Sequence, residues 1–178
     1  QSVMRVGALR VRPATAEQIR AAVQGEQRDL YRVEWVPVAL DEAARSGIGW
    51  ALGGDGRLAE ALGLEWHADI AVLAERLGRG EAPARLVVDA TVRPSQDVAL
   101  PQQVQGETAR ALATLQGLLA EPRLGRTTLV WVTRGAIAAS PDDLVSDLVH
   151  APVWGLVRSA RNEHSERVLR LVDIDDST

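Results

Sequence analysis

Gly49-Trp50-Ala51-Leu52-Gly53-Gly54-Asp55-Gly56-Arg57-Leu58-Ala59 reads as a short apolar strand, Gly49–Leu52, that runs through a glycine turn into a helix reaching about Leu62. Glycines free such a turn for left-handed backbone conformations that a Cβ resists. Further along, a brief strand is expected at Leu64–Trp66. After Asp69, the apolar residues Ile70, Leu73, Ala74 and Leu77 have helical spacing, and Gly78 ends that helix. Leu86-Val87-Val88, inside a strand Ala84–Ala90, is apolar without alternation, the pattern of a parallel strand covered on both faces. A long helix over Gln102–Ala120 carries Val104, Ala111, Leu112, Leu115, Leu118 and Leu119, followed by strands at Thr127–Thr133 and Val168–Ile174. This alternation predicts an α/β domain with a parallel sheet flanked by helices.

Punctuation supplies further expectations. Ser140-Pro141-Asp142-Asp143 reads as a helix start, with a Ser cap, an early Pro and acids at the positive helix end. That helix should extend to about Glu163 with a bend at Pro152. Near the N-terminus, Leu9 and Val11 alternate with Arg10 and Arg12, and Thr15-Ala16-Glu17-Gln18 resembles a capping box. Leu30–Val38 is rich in β-formers and reads as a strand with one edge compromised by Pro37.

Composition removes several function classes. With 178 residues, 46% of them hydrophobic and 25% charged, the chain can bury a proper core. That core is aliphatic and tryptophan-based, since there is no Phe and one Tyr against five Trp. The absence of Cys excludes disulfides, thiolate metal sites and a cysteine nucleophile. All 20 basic residues are Arg, which excludes a lysine base or Schiff base. A net charge of −4 argues against a nucleic-acid surface, and no long apolar run predicts a membrane span.

The sharpest chemical motif is Gly54-Asp55-Gly56-Arg57-Leu58-Ala59, which matches the dinucleotide pattern G-x-G-x-x-G/A. Asp55 would face a doubly charged pyrophosphate, however, and the following helix is short. Glu65 lies 65 − 54 = 11 residues beyond Gly54, whereas a ribose-binding acid is expected about 20 residues on. Gly53, Gly54 and Gly56 therefore read as a degenerate turn that holds no cofactor. His67, His150 and His164 are too scattered for a metal site. His150 reads as a core or interface residue, and His164 as a helix C-terminal one. No G-x-S-x-G elbow presents a serine. Arg158, Arg161 and Arg167 are expected to form a solvated charge network with Glu163 and Glu166.

Two further stretches carry a family resemblance. Leu30-Tyr31-Arg32-Val33-Glu34-Trp35-Val36-Pro37-Val38 and Ala151-Pro152-Val153-Trp154-Gly155-Leu156-Val157-Arg158-Ser159-Ala160 resemble the opening and closing signatures of the structural subdomain of a ketoreductase from a modular type I polyketide synthase. The resemblance implies a dehydratase tail and linker over residues 1–29, where Val6–Pro13 is similar to such a tail, and the subdomain over residues 30–178. It implies a truncated Rossmann-like, short-chain dehydrogenase-like sheet that has lost its nucleotide site and one strand-helix unit. Where a reductase places Y-x-x-x-K, this chain has Trp154 through Arg158, and an indole cannot protonate a ketone as a phenol can.

The resemblance thus implies no catalytic residue, no cofactor and no metal in this fragment, with packing or interface roles for Tyr31, Trp35, Trp154 and Arg158. NADPH is implied for the catalytic subdomain expected, with or without an intervening enoylreductase, after Thr178. Phosphopantetheine is implied on the carrier protein of the parent synthase, a multifunctional cytoplasmic enzyme of the acyltransferase class in antibiotic biosynthesis. Implied partners are that catalytic subdomain, neighbouring dehydratase and enoylreductase domains, and indirectly an acyl carrier protein. Two rivals stand beside this reading: a free-standing nucleotide-binding oxidoreductase with an atypical glycine-rich site, and a docking module for a carrier protein. The acidic balance disfavours the second, because carrier proteins are themselves acidic.

Overall fold

Strand and helix alternate as the apolar spacing requires: β1 (Gly49–Gly53), α1 (Arg57–Leu62), β2 (Glu65–His67), α2 (Ile70–Leu77), β3 (Arg85–Ala90), α3 (Leu100–Ala120), a 3-10 turn (Pro122–Leu124), β4 (Thr128–Arg134), α4 (Ala151–Glu163) and β5 (Leu169–Ile174). The computed structural model describes residues 15, 33–38, 49–94, 97–140 and 142–175. The chain divides into two units, Gln1–Val36 and Pro37–Thr178, and the sheet lies in the second.

All five strands are parallel, in the order β2-β1-β3-β4-β5. Right-handed crossovers then dictate which face each helix covers. The step from β1 to β2 runs one way along the sheet, and every later step runs the other way. α1 is therefore alone on one face, where Ala59 packs against Ala51, Val87 and Val132. α2, α3 and α4 share the opposite face with Trp50, Leu86, Leu129, Trp131 and Leu169. Each fully buried Leu or Val in that larger core contributes about 1.5–3 kcal/mol. The central run Leu86-Val87-Val88 is buried on both sides, as its lack of alternation predicts. α2 leads directly into β3, so among the described residues the sheet lacks one strand-helix unit, as in a truncated Rossmann fold.

Helix α2 follows its sequence signals closely. The Asp69 carboxylate accepts the N–H of Val72 at 2.9 Å, and Leu73 and Leu77 face the core. Helix α4 does not. The expected start at Ser140-Pro141-Asp142-Asp143 is instead a local turn. The Asp143 carboxylate accepts the N–H groups of Ala139 and Ser140, both at 2.9 Å, and the Ser140 hydroxyl at 2.8 Å. The helix starts eight or more residues later, where Asp147 accepts the N–H groups of Val149 and His150 at 3.0 and 3.2 Å. Pro152 falls in its first turn and so fits the helix without bending it.

The strand expected at Leu30–Val38 is also corrected. Residues 33–38 belong to no strand, and Val33, Val36 and Val38 are exposed. Their β-forming side chains meet no neighbouring ladder, and without one an extended segment does not become sheet. Leu30–Arg32, the expected strand near Leu9 and all of the capping-box helix beyond Thr15 lie outside the described residues. Among the described residues no helix is long and apolar enough to cross a membrane.

Candidate functional site

The sheet order reverses between β1 and β3, and open α/β sheets bind ligands in the crevice at such a point. The glycine turn and a cavity meet there. Gly53, Gly54 and Gly56 all have positive φ, at 80°, 65° and 84°. Trp66 shields the turn: its indole donates to the Gly53 carbonyl at 2.8 Å, and its ring lies under Gly56.

The turn is tight for a reason internal to the protein. A Cβ on Gly54 would lie 2.0 Å from Oδ2 of Asp89, so glycine is needed to admit that carboxylate. The Asp55 carboxylate meanwhile accepts the N–H of Arg57 at 3.1 Å, at the N-terminus of α1. A pyrophosphate seeks these same two places, the close approach to glycine backbone and the positive helix end. Both hold carboxylates here, and the residues present do not fit a dinucleotide.

The second site read from sequence, Trp154, lies in the core with 5% exposure. Its indole N–H donates to the Thr133 hydroxyl at 2.8 Å, and that hydroxyl donates to Asp173 at 2.6 Å. The Asp173 carboxylate also accepts the N–H groups of Ala136 and Ile137 at 3.0 and 3.2 Å. One network therefore ties α4, β4, β5 and the loop after β4 together. Arg158, one turn on, lies over the Trp154 ring at 5.4 Å. Trp35 is 43% exposed, and Tyr31 lies outside the described residues.

The cavity encloses about 590 Å³ and is lined by Gly53 and Gly54, the start of α2, the loop after β3, one face of α3, Trp131 and His150. Its polar wall is a charged cluster assembled from three segments. His150 Nδ1 lies 2.6 Å from Asp147 Oδ2, and both residues are almost fully buried. On the other side of the ring, His150 Nε2 is 3.8 Å from Glu107 Oε2. Glu107 also receives Arg110 at 2.5 Å, while Arg93 approaches Asp147 at 3.8 Å and donates to Ser146 at 3.1 Å. Burial pushes the Asp147 carboxyl up. The hydrogen bond and charge of His150, with the backbone N–H groups of His150 and Val149, more than offset this and hold it below its ordinary value.

Sequence reasoning singled out His150 without its partners. The D-x-x-H spacing of Asp147 and His150 was visible, as was Glu107, a carboxylate on the buried stripe of α3. Arg167 also departs from expectation. Its guanidinium donates to the carbonyls of Leu118, Leu119 and Leu124 at 3.2, 3.3 and 3.0 Å, closing the C-terminal end of α3. The carboxylate of Glu166 instead lies 3.3 Å from His164. Burial lowers the pKa of His67, with Glu65 opposing and Arg76 assisting, and its ring meets Trp50 edge-on at 5.1 Å. Among the described residues no group of three His, Asp or Glu is arranged to hold a metal.

Known proteins are similar over nearly the whole chain. The polyketide synthase GfsE of Streptomyces halstedii is 40% identical over 97% of this chain, which spans 4% of that protein. The spectinabilin polyketide synthase system protein NorA of Streptomyces orinoci is 37% identical over 98% of this chain and 9% of its own length. This chain thus spans a small fraction of the synthases it matches. A solved structure of A-type ketoreductases from a modular polyketide synthase superposes with a TM-score of 0.54 at 25% identity, covering 80% of this chain and 34% of that one. Residues 33–178 match the family described as the Rossmann fold domain of the polyketide synthase extender module SpnB. With five parallel strands in truncated Rossmann order and that match over most of its length, the chain belongs to this family of polyketide synthase Rossmann domains.

Proposed function

We propose that the domain is the non-catalytic structural half of a polyketide synthase ketoreductase and braces the NADPH-binding half. The observation that carries this reading is the pair of carboxylates at the glycine turn, Asp55 at the α1 N-terminus and Asp89 against Gly54. They repel the phosphates of a dinucleotide, so NADPH is assigned to the partner. The commitment of Trp154 to Thr133 supports the same conclusion, since α4 offers a structural donor where a reductase needs a proton donor.

In this reading the parent synthase presents a β-keto intermediate on the phosphopantetheine of an acyl carrier protein, and the partner half reduces it. Neighbouring dehydratase and enoylreductase domains complete the set of partners. Tyr31 and Trp35 serve at the seam with the catalytic half, and Trp154 and Arg158 serve as packing groups. The exposure of Val33, Trp35, Val36 and Val38 supports an interface role for that stretch.

Titration with NADPH tests the reading, because Trp66 stacks on the turn and would report a bound cofactor. The expected result is unchanged tryptophan emission through the micromolar range. Coexpression with the catalytic half of the same synthase should yield a complex that reduces a β-ketoacyl thioester. Micromolar quenching, or reduction by this domain alone, would refute the proposal and favour a nucleotide-binding oxidoreductase.

A further inference from the structure

The strand at one edge of the sheet carries a buried ionisable ring. β2 has three residues and a single neighbour, β1, and it turns Glu65 and His67 to the same face as Trp50 and Leu52. His67 is 3% exposed, and its ring meets Trp50 edge-on. Its Nε2 is buried and has no hydrogen-bond partner among the described residues.

Two charged groups among the described residues bear on the ring, Glu65 from β2 itself and Arg76 from α2, while β1 presents the uncharged Trp50. Glu65 is already committed. Its carboxylate accepts from Arg76 at 2.8 and 3.4 Å, and Oε1 lies 3.9 Å from His67 Nε2, beyond hydrogen-bond reach. The Arg76 guanidinium in turn lies over the Trp50 ring at 4.6 Å.

An imidazolium carries a proton on both nitrogens. Charging His67 therefore leaves a buried N–H at Nε2 without an acceptor, close to a guanidinium, or draws Glu65 away from Arg76. The first outcome costs desolvation and repulsion; the second unties β2 from α2. In either case the charged ring is better accommodated in water, and release of a short strand paired on one side is the most direct way there. The depressed pKa that burial gives His67 has the same sense. Above the ordinary 6.5 the contribution of the neutral ring is whole, and it declines as pH falls below that value toward the folded one.

We propose that β2 and the turn into α2 form a flap that the neutral ring of His67 holds on the sheet and that acid releases. Ala68 and Asp69, in that turn, belong to the wall of the switch-point cavity, so release of the flap opens that wall. The inference goes beyond the bracing reading and needs nothing of the catalytic half.

Amide exchange on the full chain, from neutral pH down to about pH 5 and corrected for the intrinsic pH dependence, tests this. The ladder amides of β2 should lose about tenfold in protection while those of β3 and β4 keep theirs. In the unmodified protein the loss should follow the same pH midpoint as the His67 ring resonances in NMR spectra, a comparison that depends on no variant folding. In His67→Gln, which cannot take up the charge, protection of β2 should be independent of pH over this range. Loss spread evenly over β2, β3 and β4, a midpoint unrelated to that of the ring, or an undiminished loss in H67Q would overturn the proposal. A ring that titrates while β2 stays fully protected, or that stays neutral until the whole domain unfolds, would overturn it equally.

Discussion

Thr133, fully buried on β4, accepts the indole proton of Trp154 at 2.8 Å and passes its own proton to Asp173 at 2.6 Å. One hydroxyl thus satisfies a helix and an edge strand at once. Its removal takes the Thr133 acceptor from the buried Trp154 indole and one of three donors from the Asp173 carboxylate, and a buried polar group that loses a partner costs more than the bond itself contributes. Thr133→Val should destabilise the domain by about 2–4 kcal/mol and Trp154→Phe by about 1–3 kcal/mol in urea unfolding. The double variant should fall short of the sum by at least about 0.5 kcal/mol. Strict additivity would show that the three groups do not act as one network.

Gly54 is held by geometry. Its φ is 65°, and a Cβ would lie 2.0 Å from the Asp89 carboxylate. Gly54→Ala should cost about 2 kcal/mol or more, from left-handed strain plus displacement of Asp89. Shortening the opposing side chain in Gly54→Ala/Asp89→Ala should recover part of that loss, because the steric part disappears while the strain stays. Equilibrium unfolding of the two variants decides the matter: no recovery would mean that the contact with Asp89 is not the constraint.

These two sites mark the limit of what the sequence discloses. Helix α2 was legible because its signals are local: the Asp69 cap, the spacing of Ile70, Leu73 and Leu77, and Gly78. The start of α4 was misread because Ser140 and Asp143 carry cap chemistry that serves a turn equally well. Whether a helix follows depends on burial of the next residues, and Leu144 and Leu148 are 87% and 53% exposed. The exposed stretch 33–38 failed for a related reason, since β propensity needs a neighbouring strand to act on. The carboxylate of Asp55 at the glycine turn was readable in the sequence, whereas that of Asp89 comes from another strand. The cavity was illegible because Arg93, Glu107 and His150 converge only through the sheet order.

Asp147 gives the domain an acid-sensitive joint. Its folded pKa lies below the ordinary 3.8, so its carboxylate contributes stability that is whole above that value. As pH falls below 3.8 toward the folded value, the proton taken up releases the bonds to His150 and to the Val149 and His150 N–H groups. Denaturant midpoints measured from neutral pH downward should therefore decline through this window. Asp147→Asn should be less stable at neutral pH and show a flatter acid limb. Parallel acid limbs in the two proteins would assign the acid sensitivity to other carboxylates.

Arg167 closes the end of α3 from a distant part of the chain. Three backbone carbonyls receive its guanidinium: those of Leu118 and Leu119 lie in the last turn of α3, where a helix terminus leaves acceptors unsatisfied, and that of Leu124, which also accepts the Thr127 N–H, lies in the 3-10 turn beyond. Its planar fork can reach several carbonyls at once, which an ammonium on a flexible stem cannot reproduce. Arg167→Lys should therefore lose most of the effect despite keeping the charge, and Arg167→Met should cost about 1–3 kcal/mol. Amide exchange supplies the local readout: the last turn of α3 and the 3-10 turn at Pro122–Leu124 should lose protection while the central strands β3 and β4 keep theirs. Full protection of that turn in the lysine variant would show that positive charge near the helix end suffices, without the fork.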